Sequence, residues 1–296
     1  MKTILLTGKN GQVGWELQRT LATLGKVVAI DADELDLANA SAIRAKVREI
    51  RPDIIVNPAA YTAVDKAESE LELAQAINAE APGILAEEAA RLNAWMVHYS
   101  TDYVFNGNKQ GAYIETDEPD PAGVYGATKL AGERAVSQAG GKHLILRTSW
   151  VYGARGHNFL LTMLRLGRER DQLRVVDDQI GAPTWCRSLA EVTSQILAQL
   201  HMPGYELDES CIGTYHLTSA GAVSWCGFAD AIFEQAGQAS RPQLTPIPSS
   251  EYPTPARRPM NSVLSNDKLH QVFGLRAGDW LDNLKLCMAE MRSAGE

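Results

Sequence analysis

Tyr125 and Lys129 stand four residues apart in the run Val124-Tyr125-Gly126-Ala127-Thr128-Lys129, and Ser100-Thr101-Asp102 lies a helix and a loop upstream. On a helix that spacing puts the phenol and the ammonium on one face, a single turn apart. An ammonium held there favours the phenolate, so the spacing predicts a phenol pKa lowered from about 10 toward neutrality, a proton donor for a carbonyl oxygen. A tyrosine and a lysine at this spacing are also common on ordinary amphipathic helices, so the pair needs support from the elements that would position it.

The chain opens on Lys2-Thr3-Ile4-Leu5-Leu6-Thr7, which reads as a buried parallel strand. It runs into Gly8, Gly11 and Gly14, followed by helical apolar spacing from Trp15 to Leu21. Glycines there allow a tight turn, bring backbone N–H groups and a helix N-terminus up to a diphosphate, and let the helix pack closely on the strand. A second strand, 27–30, ends in Asp31, seventeen residues after Gly14. A carboxylate at that distance accepts hydrogen bonds from an adenosine ribose and repels a 2′-phosphate. Lys9 in the glycine turn works the other way, so both NADH and NADPH stay open as cofactors.

Further strands are predicted at 53–57, 95–99 and 143–147, with a helix from 70 to 91 broken near Pro82-Gly83. Strands alternating with helices predict an α/β fold, a Rossmann-type doubly wound parallel sheet over residues 1–150. Its functional loops leave the C-terminal ends of the strands, where 57–62, 100–105 and 148–152 begin. After Gly153 the rhythm changes. A helix at 158–170, a strand at 173–176 returning to the large sheet and a covering helix at 188–200 are expected. Pro-rich connections follow, with Pro242, Pro246, Pro248, Pro253, Pro255 and Pro259. Residues 151–296 therefore read mainly as a smaller, interleaved α/β substrate domain, with about 173–200 returned to the first.

The glycine spacing is GxxGxxG and not GxGxxG. Joined to Ser100-Thr101-Asp102 and the Tyr125/Lys129 pair, it resembles the extended short-chain dehydrogenase/reductase family. The stretches 57–68 (NPAAYTAVDKAE), 98–105 (HYSTDYVF), 147–153 (RTSWVYG), 178–184 (DQIGAPT) and 252–259 (YPTPARRP) extend the likeness over nearly the whole chain. They resemble the branch that reduces the 4-keto group of dTDP-linked deoxysugars. The resemblance implies hydride transfer from NADPH or NADH, with Tyr125 protonating the oxygen, Thr101 hydrogen-bonding it, and Lys129 biasing Tyr125 and holding the nicotinamide ribose.

It further implies cofactor contacts from Gly8, Gly11, Gln12, Val13 and Gly14 at the diphosphate, Asp31 at the ribose, Asp36 and Leu37 at the adenine, and Ala60, Tyr61, Thr62 and Tyr99 between. Asp102, Trp150, Asn158 and Gln179 would meet the nucleotide sugar, Trp150 with an aromatic face. Arg257 and Arg258 are the local cations for its diphosphate. Some members bridge subunits through a metal held by acidic side chains. Here Arg187 stands where an acid is needed, so Glu16 is expected to lack a partner, no metal is expected, and a homodimer stays open. The same fold carries nucleotide-sugar epimerases, dehydratases and a non-catalytic regulatory subunit of methionine adenosyltransferase. The joint presence of Thr101, Tyr125 and Lys129 argues for catalysis, and Tyr103 after Asp102 departs from the Thr-Asp-Glu of dehydratases.

With 296 residues, 45% of them hydrophobic and 22% charged, the chain can bury a large core and is not a disordered one. A net charge of −8 argues against a nucleic-acid partner. Cys186, Cys211, Cys226 and Cys287 show no metal-ligand spacing and read as thiols. Ile4-Leu5-Leu6 is too short for a signal sequence and no run is long enough for a membrane span, so a cytoplasmic enzyme is expected.

Overall fold

The computed structural model describes residues 1–200, 211–237 and 241–293. The first half alternates as the sequence pattern requires: β1 (Lys2–Leu6), α1 (Gln12–Leu21), β2 (Gly25–Ala29), α2 (Ala40–Ile50), β3 (Ile54–Asn57), the short α3 (Val64–Ala67) and α4 (Leu71–Gln75), α5 (Ala81–Arg91), β4 (Trp95–Thr101), α6 (Val124–Gln138) and β5 (His143–Thr148). The second half runs β6 (Val151–Tyr152), α7 (Phe159–Glu169), β7 (Gln172–Val176), β8 (Ile180–Gly181), β9 (Thr184–Trp185), α8 (Cys186–Gln199), β10 (Gly213–His216), β11 (Val223–Ser224), α9 (Trp225–Ala236), β12 (Gln243–Ile247), α10 (Asp267–Phe273) and α11 (Trp280–Ser293).

The large sheet has six strands in the order β10-β5-β4-β3-β1-β2, every pairing parallel. Such strands are covered on both faces, which is why Ile54, Ile55, Val56 and Asn57 are all buried. One face packs Leu17 and Leu21 of α1, Leu189 and Ile196 of α8, and Leu269 and Phe273 of α10. The other packs Ile43 and Val47 of α2, Leu85 and Ala89 of α5, and Val136 of α6. The chain leaves β1 toward β2 on one side and reaches β3 on the other, and that change of direction opens a crevice beyond the strand ends.

A second core gathers Leu160, Leu164, Leu173, Phe228, Ile232, Leu284 and Met288 from α7, β7, α9 and α11. Here the structure departs from the sequence expectation. The strand at 172–176 does not return to the large sheet but pairs in parallel with β12, and the sheet's sixth strand is β10. A short apolar strand does not encode its partner. The helix at 186–199 does pack on the large sheet, through Leu189, Ala190, Val192 and Ile196.

The long helix expected over 70–91 is interrupted earlier than Pro82. A π turn at Ala76–Glu80 joins α4 to α5 along one right-handed helical path, and Pro82 follows it directly, so the widened turn falls on the carbonyls that Pro82, lacking an N–H, cannot serve. Glu16 also differs from expectation. It is partnered by Arg187, whose Nε donates at 3.3 Å while Nη2 reaches Glu290 at 2.9 Å. Reading Arg187 only as a missing acid overlooked that it supplies the counter-charge itself.

Candidate active site

A cavity of about 540 Å³ opens at the C-terminal ends of β1, β3, β4 and β5. Its floor is the turn after β1. Gly8 takes φ +62°, a conformation costly for any other residue, and a Cβ on Gly14 would lie 2.0 Å from the Gly8 carbonyl oxygen. Only glycine lets α1 start this close to the turn, so the turn is shaped as a cradle for a diphosphate. Gly11, Gln12, Val13, Asp31, Asp36, Leu37, Ala60, Thr62, Tyr99, Tyr125 and Lys129 also line the cavity. Asp31 Oδ2 accepts from Asn10 N–H at 2.8 Å, so the carboxylate at the end of β2 holds the glycine turn as well as facing the cavity. Lys9 is bound by Glu34, which competes with any role toward a phosphate.

Tyr61 is the one expected cofactor contact outside that lining. Its phenol donates to Glu70 at 2.5 Å, and its backbone is clasped by Asn78, which accepts from Tyr61 N–H at 2.8 Å and donates to Tyr61 O at 3.1 Å. Asn78 sits in the π turn, fully buried, and also reaches the Thr128 hydroxyl at 3.3 Å. It thereby ties the loop after β3 to α6. Sequence reading missed it, although an interruption in a helical pattern is a recurrent mark of a functional site.

Helix α6 presents Tyr125 and Lys129 one turn apart, as their spacing requires. Its first residue is capped from outside, Val124 N–H donating to Glu68 at 2.9 Å. It lies so close to the turn after β4 that a Cβ on Gly126 would meet the Tyr103 carbonyl oxygen at 2.1 Å. The phenol is not lowered as the spacing alone suggested. Burial pushes Tyr125 up to about 12, the Asp102 carboxylate adds to the shift, and a hydrogen bond from Thr101 opposes it. Lys129 does not offset this because its Nζ is turned away, donating to Tyr99 O at 2.6 Å beside His98 Nε2 at 3.4 Å. Burial lowers Lys129 to about 8, against the pull of Glu133 one turn on.

Thr101, the last residue of β4, donates to Asp102 Oδ1 at 3.0 Å and accepts from Tyr103 N–H at 3.2 Å. Asp102 is buried, with Oδ2 lacking a hydrogen-bond partner. Burial raises it to about 6, opposed by the Ser262 and Thr101 hydroxyls. Thr101, Asp102 and Tyr125 thus form one cluster that meets the cavity through Tyr125, Thr101 and Asp102 themselves lying outside its lining.

The expected substrate contacts divide. Arg258 is brought toward this cluster. It donates to Asp65 at 2.8 Å, its charge acts on Tyr103, and Tyr103 meets the Tyr125 ring edge-on at 5.4 Å. Arg257 is exposed. Asn158 caps α7 and spends its amide on Gln12 at 2.8 Å and Gly153 O at 2.9 Å, steadying the cofactor turn from behind. Trp150 stacks on Trp225 at 3.5 Å and holds φ +48°, a strained value for a large side chain. Gln179 is buried between β7 and β8. Trp150, Asn158 and Gln179 lie outside the cavity lining. Among the described residues, no group of three or more His, Cys, Asp or Glu side chains could hold a metal ion.

Comparison with known proteins identifies the family. Residues 1–293 match the RmlD substrate binding domain family. A dTDP-4-dehydrorhamnose reductase of Burkholderia thailandensis is 50% identical, the alignment covering 98% of this chain and 99% of the relative. One from Escherichia coli K12 is 48% identical over 97% of each. A solved dTDP-4-dehydrorhamnose reductase from Bacillus anthracis, in complex with NADP, superposes with a TM-score of 0.89 at 38% identity, covering 98% of this chain and 99% of that one. A Thermus thermophilus UDP-glucose 4-epimerase in complex with NAD, 21% identical with a TM-score of 0.81 and 99% of both chains covered, shares the fold. With near-complete coverage and identities well above the level at which fold alone is shared, the chain belongs to the RmlD family of dTDP-4-dehydrorhamnose reductases.

Proposed function

We propose that the chain catalyses NAD(P)H-dependent reduction of the 4-keto group of dTDP-4-dehydro-β-L-rhamnose to dTDP-L-rhamnose. The observation that supports this reading is that Tyr125 and Lys129 line a cavity whose other end is a glycine cradle, with the Thr101 hydroxyl beside the Tyr125 phenol. The nicotinamide cofactor, when bound, supplies the hydride.

The residues supply the rest. Gly11, Gln12, Val13 and the α1 N-terminus would hold the diphosphate, Asp31 and Asp36 the adenosine end, and Lys129 the nicotinamide ribose. Burial keeps the Tyr125 proton in place at neutral pH, so it leaves only for an oxygen gaining negative charge. Thr101 would turn its one hydroxyl proton from Asp102 to the same oxygen and so hold the keto group against Tyr125. On this reading Asp102 would accept from a sugar hydroxyl and Arg258 would pair with the substrate diphosphate. We further propose a cytoplasmic enzyme, in keeping with a soluble, doubly charged sugar nucleotide, and a homodimer that light scattering would reveal.

The test is direct. Purified protein is mixed with dTDP-4-dehydro-β-L-rhamnose and NADPH or NADH, nicotinamide absorbance is followed, and the product is identified by NMR. Consumption of one cofactor per sugar with formation of dTDP-L-rhamnose is expected. Absence of turnover with both cofactors would refute the assignment, and interconversion of sugar epimers without net cofactor consumption would favour an epimerase.

A further inference from the structure

A chain of buried polar side chains runs beneath the cavity from the end of β1 to the catalytic helix. Thr7, Asn57, His98 and Lys129 are each between 0 and 2% exposed. Thr7 Oγ1 donates to Asn57 Oδ1 at 2.5 Å, Asn57 Nδ2 faces His98 Nδ1 at 3.1 Å, and His98 Nε2 faces Lys129 Nζ at 3.4 Å. The outer end matters as much as the inner one, because Thr7 lines the cofactor cavity.

Donor and acceptor counting gives this chain two complete arrangements. In the one described, the Asn57 amide donates to Nδ1, so the neutral imidazole carries its proton on Nε2 and donates it to an uncharged Lys129 amine. An ammonium has no lone pair to accept that proton. It requires Nε2 bare, hence Nδ1–H donating to Asn57 Oδ1, the amide turned over, and the Asn57 NH₂ donating to Thr7. Lys129 takes up one proton between the two states, while the imidazole stays neutral and moves its own proton from Nε2 to Nδ1. Burial first and Lys129 second disfavour a charged His98, and although a hydrogen bond to the Asn57 backbone opposes them, the ring is held well below its ordinary range. We propose that Thr7, Asn57 and His98 form a switchable hydrogen-bond wire whose direction follows the charge on Lys129. His98 and Asn57 are then positioning residues, and the catalytic ammonium is coupled to the direction of the Thr7 hydroxyl in the cofactor cavity.

The other groups acting on Lys129 are compatible with this. Tyr99 offers only its carbonyl, its phenol being committed to Thr193 at 2.6 Å. Glu133 on α6 is engaged by Arg147 of β5 at 2.7 Å and by Ser100 of β4 at 2.5 Å, and Tyr125 keeps its proton. His98 is therefore the neighbour of Lys129 able to exchange donor for acceptor.

The inference rests on the proposed role of Lys129, but its main test does not depend on turnover. Nitrogen-15 NMR of the His98 ring in the intact protein, assigned with His98→Gln, is followed from about pH 6 to pH 10. A neutral ring changing from Nδ1–H to Nε2–H with a midpoint near 8, where Lys129 loses its proton, is expected, and the change should vanish in Lys129→Met. A single tautomer throughout, or a ring that becomes charged near its ordinary pKa, overturns the proposal. As a second measure, the carboxylate of Asn57→Asp can only accept and so holds the ammonium arrangement. The alkaline limb of kcat should then move up by about one pH unit or more, with cofactor Kd within about twofold. A kcat lowered equally at all pH values, with the limb unmoved, would mean that Asn57 has a structural role only, and would likewise overturn it.

Discussion

The Tyr125 phenol is fully protonated at neutral pH, and burial makes it a weaker acid than a free phenol, so its proton moves only as negative charge builds on the acceptor. A group pushed up to about 12 does not shed its proton to solvent at neutral pH, yet it yields to an alkoxide forming on the substrate. Tyr125→Phe should lower kcat by roughly 10² to 10⁴ while nicotinamide Kd, measured by calorimetry, stays close to wild type. Asp31 bears on cofactor choice. Asp31→Ala should weaken NADH more than NADPH in the same titration, and the reverse order would show that the carboxylate does not face the ribose. Asp102 links the site to stability. Its folded pKa, raised to about 6, lies above the ordinary carboxyl value, so its contribution favours folding fully below about pH 4 and is lost as pH rises through 6. Asp102→Asn removes that loss. Denaturant unfolding should show the variant gaining on wild type by on the order of 2 kcal/mol between pH 4 and pH 8, and equal pH slopes would contradict the burial argument.

At the scale of elements, α6 has to lie against the turn after β4 for Tyr125 to meet Thr101, and Gly126 permits the approach. Gly126→Ala would force its methyl into the Tyr103 carbonyl, shifting the helix. A loss of about 1–3 kcal/mol is expected, with a fall in kcat exceeding any rise in cofactor Kd. Unchanged thermal stability and turnover would show that the helix has room to spare. Much of this scaffold was legible in the sequence. Strands β1 to β5 are apolar runs closed by turn residues, and the Gly8 to Gly14 spacing located the cradle. What stayed hidden depends on contacts between distant residues. Gly213–His216 is too short and too polar to announce an edge strand, and β7 carries no mark of its partner β12. Asn57 and His98 are separated by 41 residues and Glu16 and Arg187 by 171, so their pairing is fixed by topology alone. The lowered Tyr125 pKa failed for a similar reason, since spacing gave the helix face but not the direction of Lys129 or the depth of burial.

Across the whole molecule, the segment carrying Arg258 is fastened to α3. Asp65 accepts from Arg258 at 2.8 Å and from Ala256 N–H at 3.2 Å, while Arg258 Nη1 is buried without an acceptor. Arg258 is thus better placed than Arg257 for a substrate diphosphate. Arg258→Ala should raise the substrate KM roughly ten- to a hundredfold with cofactor Kd unchanged, and Arg257→Ala should stay near wild type. Equal KM values for both variants and wild type would return this segment to an ordinary surface turn.

The passage of the chain back and forth between its two cores has a consequence for descent and for engineering. Helix α8, strand β10 and helix α10 serve the first core, whereas α7, α9 and α11 serve the second. No single cut separates them. A recombination crossover near residue 150, where a cofactor half would seem to end, would pair α1 of one parent with α8 of another across a face lined by Leu17, Leu21, Leu189 and Ile196. New sugar preferences in such a molecule cannot be acquired by shuffling a cassette. They have to arise by substitution within an intact chain, so specificity should diverge residue by residue while the boundaries of the gene stay fixed.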